Sequence, residues 1–169
     1  IWQTNWTCSR QKQNMYPAEG ALRGMNLTKD RYFIDTNIIV YMFDKDNPQK
    51  RETAIRIVKE ALESGQGVIS YQVIQEFCHA ALKKFKSPMT PGDCNSFITG
   101  YLFPLCSVFP GIELFSSALE ISESTKYSFY DSLILSSSLF SGCGKVFTED
   151  LQHNQIVRNM KIINPFKDI

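Results

Sequence analysis

Long apolar runs are missing from this 169-residue chain, and the longest, residues 38–43, falls far short of the roughly 18 residues that a membrane span needs. The opening stretch also lacks the apolar core of a secretory signal, so a cytoplasmic protein without membrane contact is expected. Charge of one sign is scarce as well. With a formal net charge of +1, nucleic acid would have to meet a local patch, because the molecule as a whole offers no strong field. The five cysteines, Cys8, Cys78, Cys94, Cys106 and Cys143, form no Cys-x-x-Cys pair, which excludes zinc-finger spacing and points to reduced, buried thiols. A phosphate-binding loop is absent too: Gly142-Cys143-Gly144-Lys145-Val146 has a lysine but neither the length nor the following Ser or Thr. No internal repeat or low-complexity linker divides the chain.

What is present suits one compact domain, with 43% hydrophobic residues available for a core. Residues 1–24 carry Trp2, Trp6, Arg10 and Lys12 among Gln, Asn and Ser without helical or strand periodicity. They are expected to be a non-native or flexible leader, with a domain over residues 25–169 and Met25 as a natural start; a partner-docking arm is the alternative. From residue 31 the pattern becomes regular. Residues 31–34 read as a buried strand, residues 38–43 as a helical turn or two, and Pro48 opens a longer helix with Ile55, Val58, Ala61 and Leu62 as its apolar stripe. Residues 67–70 read as a second strand, with Ser70 placed to cap a helix over residues 71–85 that turns Ile74, Phe77, Cys78 and Ala81 to one face. Helices are expected to about residue 105, over 112–124 and over 128–140, then strands at 145–148 and 161–163. Short apolar strands alternating with helices predict an α/β fold, a three-layer α/β/α sandwich around a mainly parallel central sheet.

In such folds ligands gather outside the carboxyl ends of the strands, where strand order switches. Asp35 follows the first strand, Glu76 lies in the second turn of the helix after the second, and Asp150 follows the strand ending at Thr148. Asp131, at the start of a helix, can face the same crevice. Taken singly, each has a plainer reading: Asp35 as a helix cap, Asp131 in a capping box with Ser128, Glu76 as a solvent-facing helix residue, Asp150 as the opening of a turn. Taken together, such groups about 4 Å apart would repel by roughly 4 kcal/mol per pair at an effective dielectric near 20. They would either shift their pKa values or need a cation. Hard oxygen ligands favour Mg²⁺ or Mn²⁺, and such ions suit attack of water on a phosphodiester.

The segments Asp35-Thr36-Asn37, Ile69-Ser70-Tyr71-Gln72-Val73-Ile74-Gln75-Glu76-Phe77, Tyr130-Asp131-Ser132-Leu133-Ile134, Thr148-Glu149-Asp150-Leu151-Gln152-His153 and Ile163-Asn164-Pro165-Phe166 resemble, in order and spacing, the PIN domains of VapC-like toxins. The similarity spans roughly residues 30–166. It implies that Asp35, Glu76, Asp131 and Asp150 are catalytic, metal-binding acidic positions, with Thr148 and Asn37 as supporting polar residues. It also implies an endoribonuclease, a small antitoxin partner from a type II toxin–antitoxin pair, and a homodimer. Ser132 stands where the family usually has Ala. Asn154 stands where Gly is common, and Asn is the next most tolerant residue of a left-handed turn.

For RNA phosphates the candidates are Lys50, Arg51, Lys83 and Lys84, with Lys45 and Lys86 nearby, against the plainer reading of solvated lysines. His79 is expected to pack or cap and His153 to lie near substrate, although metal-activated water requires neither. Phe97, Tyr101, Phe103, Phe109 and Phe115 are expected in core or subunit packing rather than base stacking. A catalytically silent PIN-fold module that binds RNA or protein is the competing function, disfavoured because all four acidic positions are filled. A haloacid-dehalogenase-type phosphatase is set aside, since position 37 of the Asp-x-Asp it requires is Asn.

Overall fold

The structure, a computed structural model, describes residues 28–169; the expected leader over residues 1–24 and the expected start at Met25 lie outside them. Strand β1 runs Thr28–Ile34, longer than its apolar stretch suggests, and Tyr32, Phe33 and Ile34 are all buried. A continuous apolar run is what a strand covered on both faces requires. Asp35 then caps α1 (Thr36–Tyr41), whose Ile38 and Ile39 enter the core. Helix α2 (Pro48–Ser64) begins with Pro48 in its first turn and ends at Gly65 with φ +67°, a left-handed stop that glycine adopts freely.

The buried stripe of α2 is Ala54, Ile57, Val58 and Ala61, whereas the expected members Ile55 and Leu62 are half-buried. Small residues decide this seating. A Cβ added to Gly67, at the start of β2 (Gly67–Ser70), would lie 2.2 Å from Ala61 Cβ, so the helix rests on the strand where neither side chain keeps it away. Ser70 holds the cap position of α3 (Tyr71–Lys83), but its hydroxyl makes no capping bond and is buried without a hydrogen-bond partner. Val73, Phe77 and Ala81 face the core from α3.

Thr90 caps α4 (Pro91–Phe97), accepting from the Asp93 N–H. The helical stretch expected to about residue 105 changes form on the way, widening to a π-turn over Ile98–Leu102 and tightening to a 3-10 turn over Phe103–Leu105. Strand β3 (Cys106–Val108) follows, unmarked in the sequence because it is three residues long with Ser107 exposed at its centre. Then come α5 (Ile112–Thr125) and α6 (Phe129–Phe140). Residues 132–140 of α6 are buried all round, since the helix packs against α5 as well as β2 and β4. Strand β4 (Cys143–Phe147) and the antiparallel pair β5 (Ile156–Val157) and β6 (Met160–Ile163) complete the sheet. Asn154 adopts φ +67°, the left-handed turn anticipated for it.

Strand order is β3-β2-β1-β4-β6-β5, parallel except for the last pair, with helices on both faces. The chain moves from β1 to one side of the sheet and later resumes on the other with β4, so the switch in order falls between β1 and β4. Cys78, Cys94, Cys106 and Cys143 are free thiols; Cys94 and Cys143 are buried as expected, whereas Cys78 and Cys106 are only half-buried. No helix among the described residues is long and apolar enough to cross a membrane.

Gly67→Ala should drive its new methyl into Ala61 and destabilise the fold by about 1–3 kcal/mol, the usual cost of overpacking. Urea unfolding checks this; an unchanged midpoint would mean that α2 shifts freely on β2.

Candidate active site at the ends of β1 and β4

Asp35 is the first residue beyond β1, and its backbone N–H donates to Phe147 O at 3.0 Å, which continues the contact with β4 past the strand end. The residue is only 8% exposed, so its carboxylate oxygens must find donors within the protein. Oδ1 accepts from the Thr36 N–H at 2.6 Å; Oδ2 accepts from the Thr148 hydroxyl at 2.6 Å and the Asn37 amide at 3.2 Å. The helix cap and the candidate site residue are therefore one group, and capping does not exclude Asp35 from the site. Burial pushes its carboxyl up to about 7, against the hydrogen bonds from Thr148 and Thr36 and with further help from the charges of Asp150 and Glu76.

Asn37 ties a second carboxylate to the first. Its Nδ2 also donates to Thr148 Oγ1 at 3.1 Å and to Asp150 Oδ2 at 2.9 Å. Thr148 is fully buried, and besides donating to Asp35 it accepts from the Asp150 N–H at 3.2 Å. Glu76 joins through α1: its Oε2 accepts from the Thr36 hydroxyl and its Oε1 from Gln72 Nε2 at 2.8 Å. Gln72 escaped the sequence reading; the signal was its position four residues before Glu76, which places both on one helix face.

Asp131 stands apart from this network. Its Oδ2 accepts from the Ser128 hydroxyl at 2.7 Å, and its N–H donates back to that oxygen at 3.2 Å, the capping box foreseen as its plainer reading. Its link to the other acidic residues is indirect, through the contact of Gln72 Nε2 with Tyr130 O at 3.4 Å. Among the described residues no group of three His, Cys, Asp or Glu side chains closes tightly enough to hold a metal ion as it stands.

In donor chemistry, the residues fit a hard divalent cation. Asn37 Oδ1 and Gln72 Oε1 are buried and have no hydrogen-bond partner, an unusual state for acceptors so close to the buried Asp35 carboxyl, which the charges of Asp150 and Glu76 help to push up. Asp35, Glu76 and Asp150 could hold such an ion by drawing together; Asp131 would join by releasing Ser128.

Of the basic candidates, Lys50 is committed elsewhere. It pairs with Glu149, donates to the Tyr41 hydroxyl at 3.1 Å and lies 4.6 Å from the Tyr41 ring centroid. Burial alone would raise the Glu149 carboxyl, but the hydrogen bonds from Lys50 and Tyr41 prevail and hold it below its ordinary value. Arg51 Nε donates to Met42 O at 3.0 Å, and Lys86 pairs with Asp46. Lys83 and Lys84 are exposed. Lys45, Lys84 and Lys86 line a groove of about 640 Å³ that has Asn37 on its wall and Val40, Phe43 and Met89 among its apolar lining. His79 is exposed rather than packed, and His153 Nδ1 accepts from the Asn164 N–H at 2.9 Å, so it serves to pin the closing segment. Phe97 packs on Phe43 and Phe77 in the interior, whereas Tyr101 and Phe103 are half or more exposed.

Residues 32–159 match the PIN domain family. Among solved structures, FitAcB from Neisseria gonorrhoeae is similar over 80% of this chain and 99% of its own, with TM-score 0.53 and 13% identity. FitAB bound to an IR36 DNA fragment is similar over 79% of this chain and 94% of its own, with TM-score 0.55 and 15% identity. At such identities the likeness establishes the fold. No curated protein sequence matches this chain. The family match covers most of the chain and takes in the segments bearing Asp35, Glu76, Asp131 and Asp150, and this chain belongs to the PIN domain family.

Proposed function

We propose that this chain is an Mg²⁺- or Mn²⁺-dependent endoribonuclease, the toxin of a toxin–antitoxin pair, acting in the cytoplasm. The observation that carries the reading is the buried Asp35 carboxylate at the strand-order switch, joined through Thr36, Asn37 and Thr148 to Glu76 and Asp150. The cation, when bound, supplies Lewis acidity toward a phosphodiester and its attacking water. The chain's own residues prepare the site. Thr148 and the Thr36 N–H hold the Asp35 carboxylate in one orientation, the Asn37 amide sets Asp150 beside it, and Thr36 and Gln72 hold the two oxygens of Glu76. Asp131 is the fourth acidic member, taken up once Ser128 is released.

The groove running from Asn37 gives RNA a course: Lys45 and Lys84 on its walls meet phosphates, a contact that positions without reading sequence. The same groove, apolar in part, suits a segment of a small antitoxin. One of the similar structures is FitAB on DNA, and a partner that joins the toxin to DNA is proposed here by that likeness. A homodimer is part of the same proposal.

One observation favours a second reading, a PIN-fold module without chemistry: Asp131 is engaged with Ser128, and no tight acidic group of three is formed among the described residues. Titration calorimetry with Mn²⁺ separates the two, since the silent module takes up no ion while still binding its partner.

Asp35→Asn should lower Mn²⁺-dependent cleavage of RNA by ~100-fold or more, because a carboxylate is lost from the centre. Asn caps a helix as well as Asp, so folding should survive, and the circular dichroism spectrum should be unchanged. Full activity in that variant would remove the mechanism.

Without metal, Asp35 keeps its proton to about pH 7, whereas an unperturbed carboxyl has a pKa of 3.8. Between these values the folded state binds more protons than the unfolded one, so this group's contribution falls as pH rises from about 4 to about 7. The loss is at most about 4 kcal/mol. Urea unfolding in EDTA across that range should show a shallower decline in Asp35→Asn than in the wild type. Identical slopes would show that Asp35 ionises normally.

A further inference from the structure

The Gln72 side chain makes contacts that a surface glutamine does not need. Its Nε2 lies 2.8 Å from Glu76 Oε1 and 3.4 Å from the backbone oxygen of Tyr130, the residue before Asp131. Both neighbours are acceptors, so turning the amide over would set its oxygen against a carboxylate and a carbonyl; the donor assignment is forced. Its Oε1 is buried and without a hydrogen-bond partner, a cost that a glutamine serving only helix propensity avoids by keeping that oxygen in water. One amide thus spans from a carboxylate of α3 to the first turn of α6, where the fourth acidic residue sits. With Thr36 holding the other oxygen, Glu76 is left a single pose.

We propose that Gln72 is a positioning residue for the divalent cation, fixing the Glu76 carboxylate against the amino end of α6 so that the ion meets an ordered ligand. The inference rests on the metal-dependent reading above. A glutamate loses rotamer freedom when it ligates an ion, and Gln72 and Thr36 have removed that freedom in advance. Hydrogen-bond partners of this kind are worth roughly 10–100-fold in metal affinity. Because Gln72 acts through Glu76, its loss should show in affinity for the ion and much less in turnover once the site is full.

The test uses the full chain, with Gln72→Met to keep the length and remove the amide, and Gln72→Ala as a second variant should Met fail to pack. Gln75→Met, at an exposed position of the same helix, is the control. Calorimetry with Mn²⁺ alone should give a dissociation constant raised ~10-fold or more in the Gln72 variants and unchanged in Gln75→Met. The Mn²⁺ concentration for half-maximal RNA cleavage should move by the same factor, while kcat at saturating Mn²⁺ stays within about threefold of the wild type. An unchanged dissociation constant in both Gln72 variants, or a fall in kcat at unchanged affinity, overturns the positioning role. A wild-type chain that takes up no Mn²⁺ removes the metal-dependent reading, and this inference with it.

Discussion

A hydrogen bond from the Thr148 hydroxyl to the Asp35 carboxylate joins the ends of the two central strands, and most of the site is arranged around it. An acid buried to this degree is tolerable only where donors surround it. The protein supplies three, and each reaches outward: the Thr36 residue to Glu76, the Asn37 amide to Asp150, the Thr148 oxygen to the Asp150 backbone. The bonds that make the buried acid tolerable are therefore the same ones that gather the candidate site. Removing Thr148 would leave Asp35 short of a donor and Asn37 short of an acceptor at once.

Topology explains why the site lies where it does. Placing β1 between β2 and β4 opens the sheet order at one point, and the residues just past β1 and β4 face each other there. The α3 helix, entered directly from β2, carries Glu76 to the same end. Packing secures this placement from below. Ala61 on Gly67 lets α2 approach β2 closely, and the ring cluster of Phe43, Phe77, Phe85 and Phe97 fills the space beneath the groove.

The strands with continuous apolar runs, the long helices and the sequence positions of Asp35, Glu76 and Asp150 were legible because each follows from local pattern. Less legible was whatever depends on partners distant in the chain. β3 and β5 are too short to carry a period, and only their neighbours make them strands. Ile55 and Leu62 carry helical spacing as well as Ala54 and Ile57 do, and the choice between them is made by a glycine on another element. Asp131 satisfied both a capping box and a family motif, and sequence has no means of showing which of them its carboxylate serves at rest. The spacing of Gln72 and Glu76 on one helix face was legible, but the contact that sets Gln72 apart is with a backbone oxygen 58 residues away.

Asp35 and Thr148 are separated by 113 positions, yet each completes the other. Neither group can find the other until β1 and β4 lie side by side, so this end of the sheet is completed by long-range pairing and by no local segment of the chain.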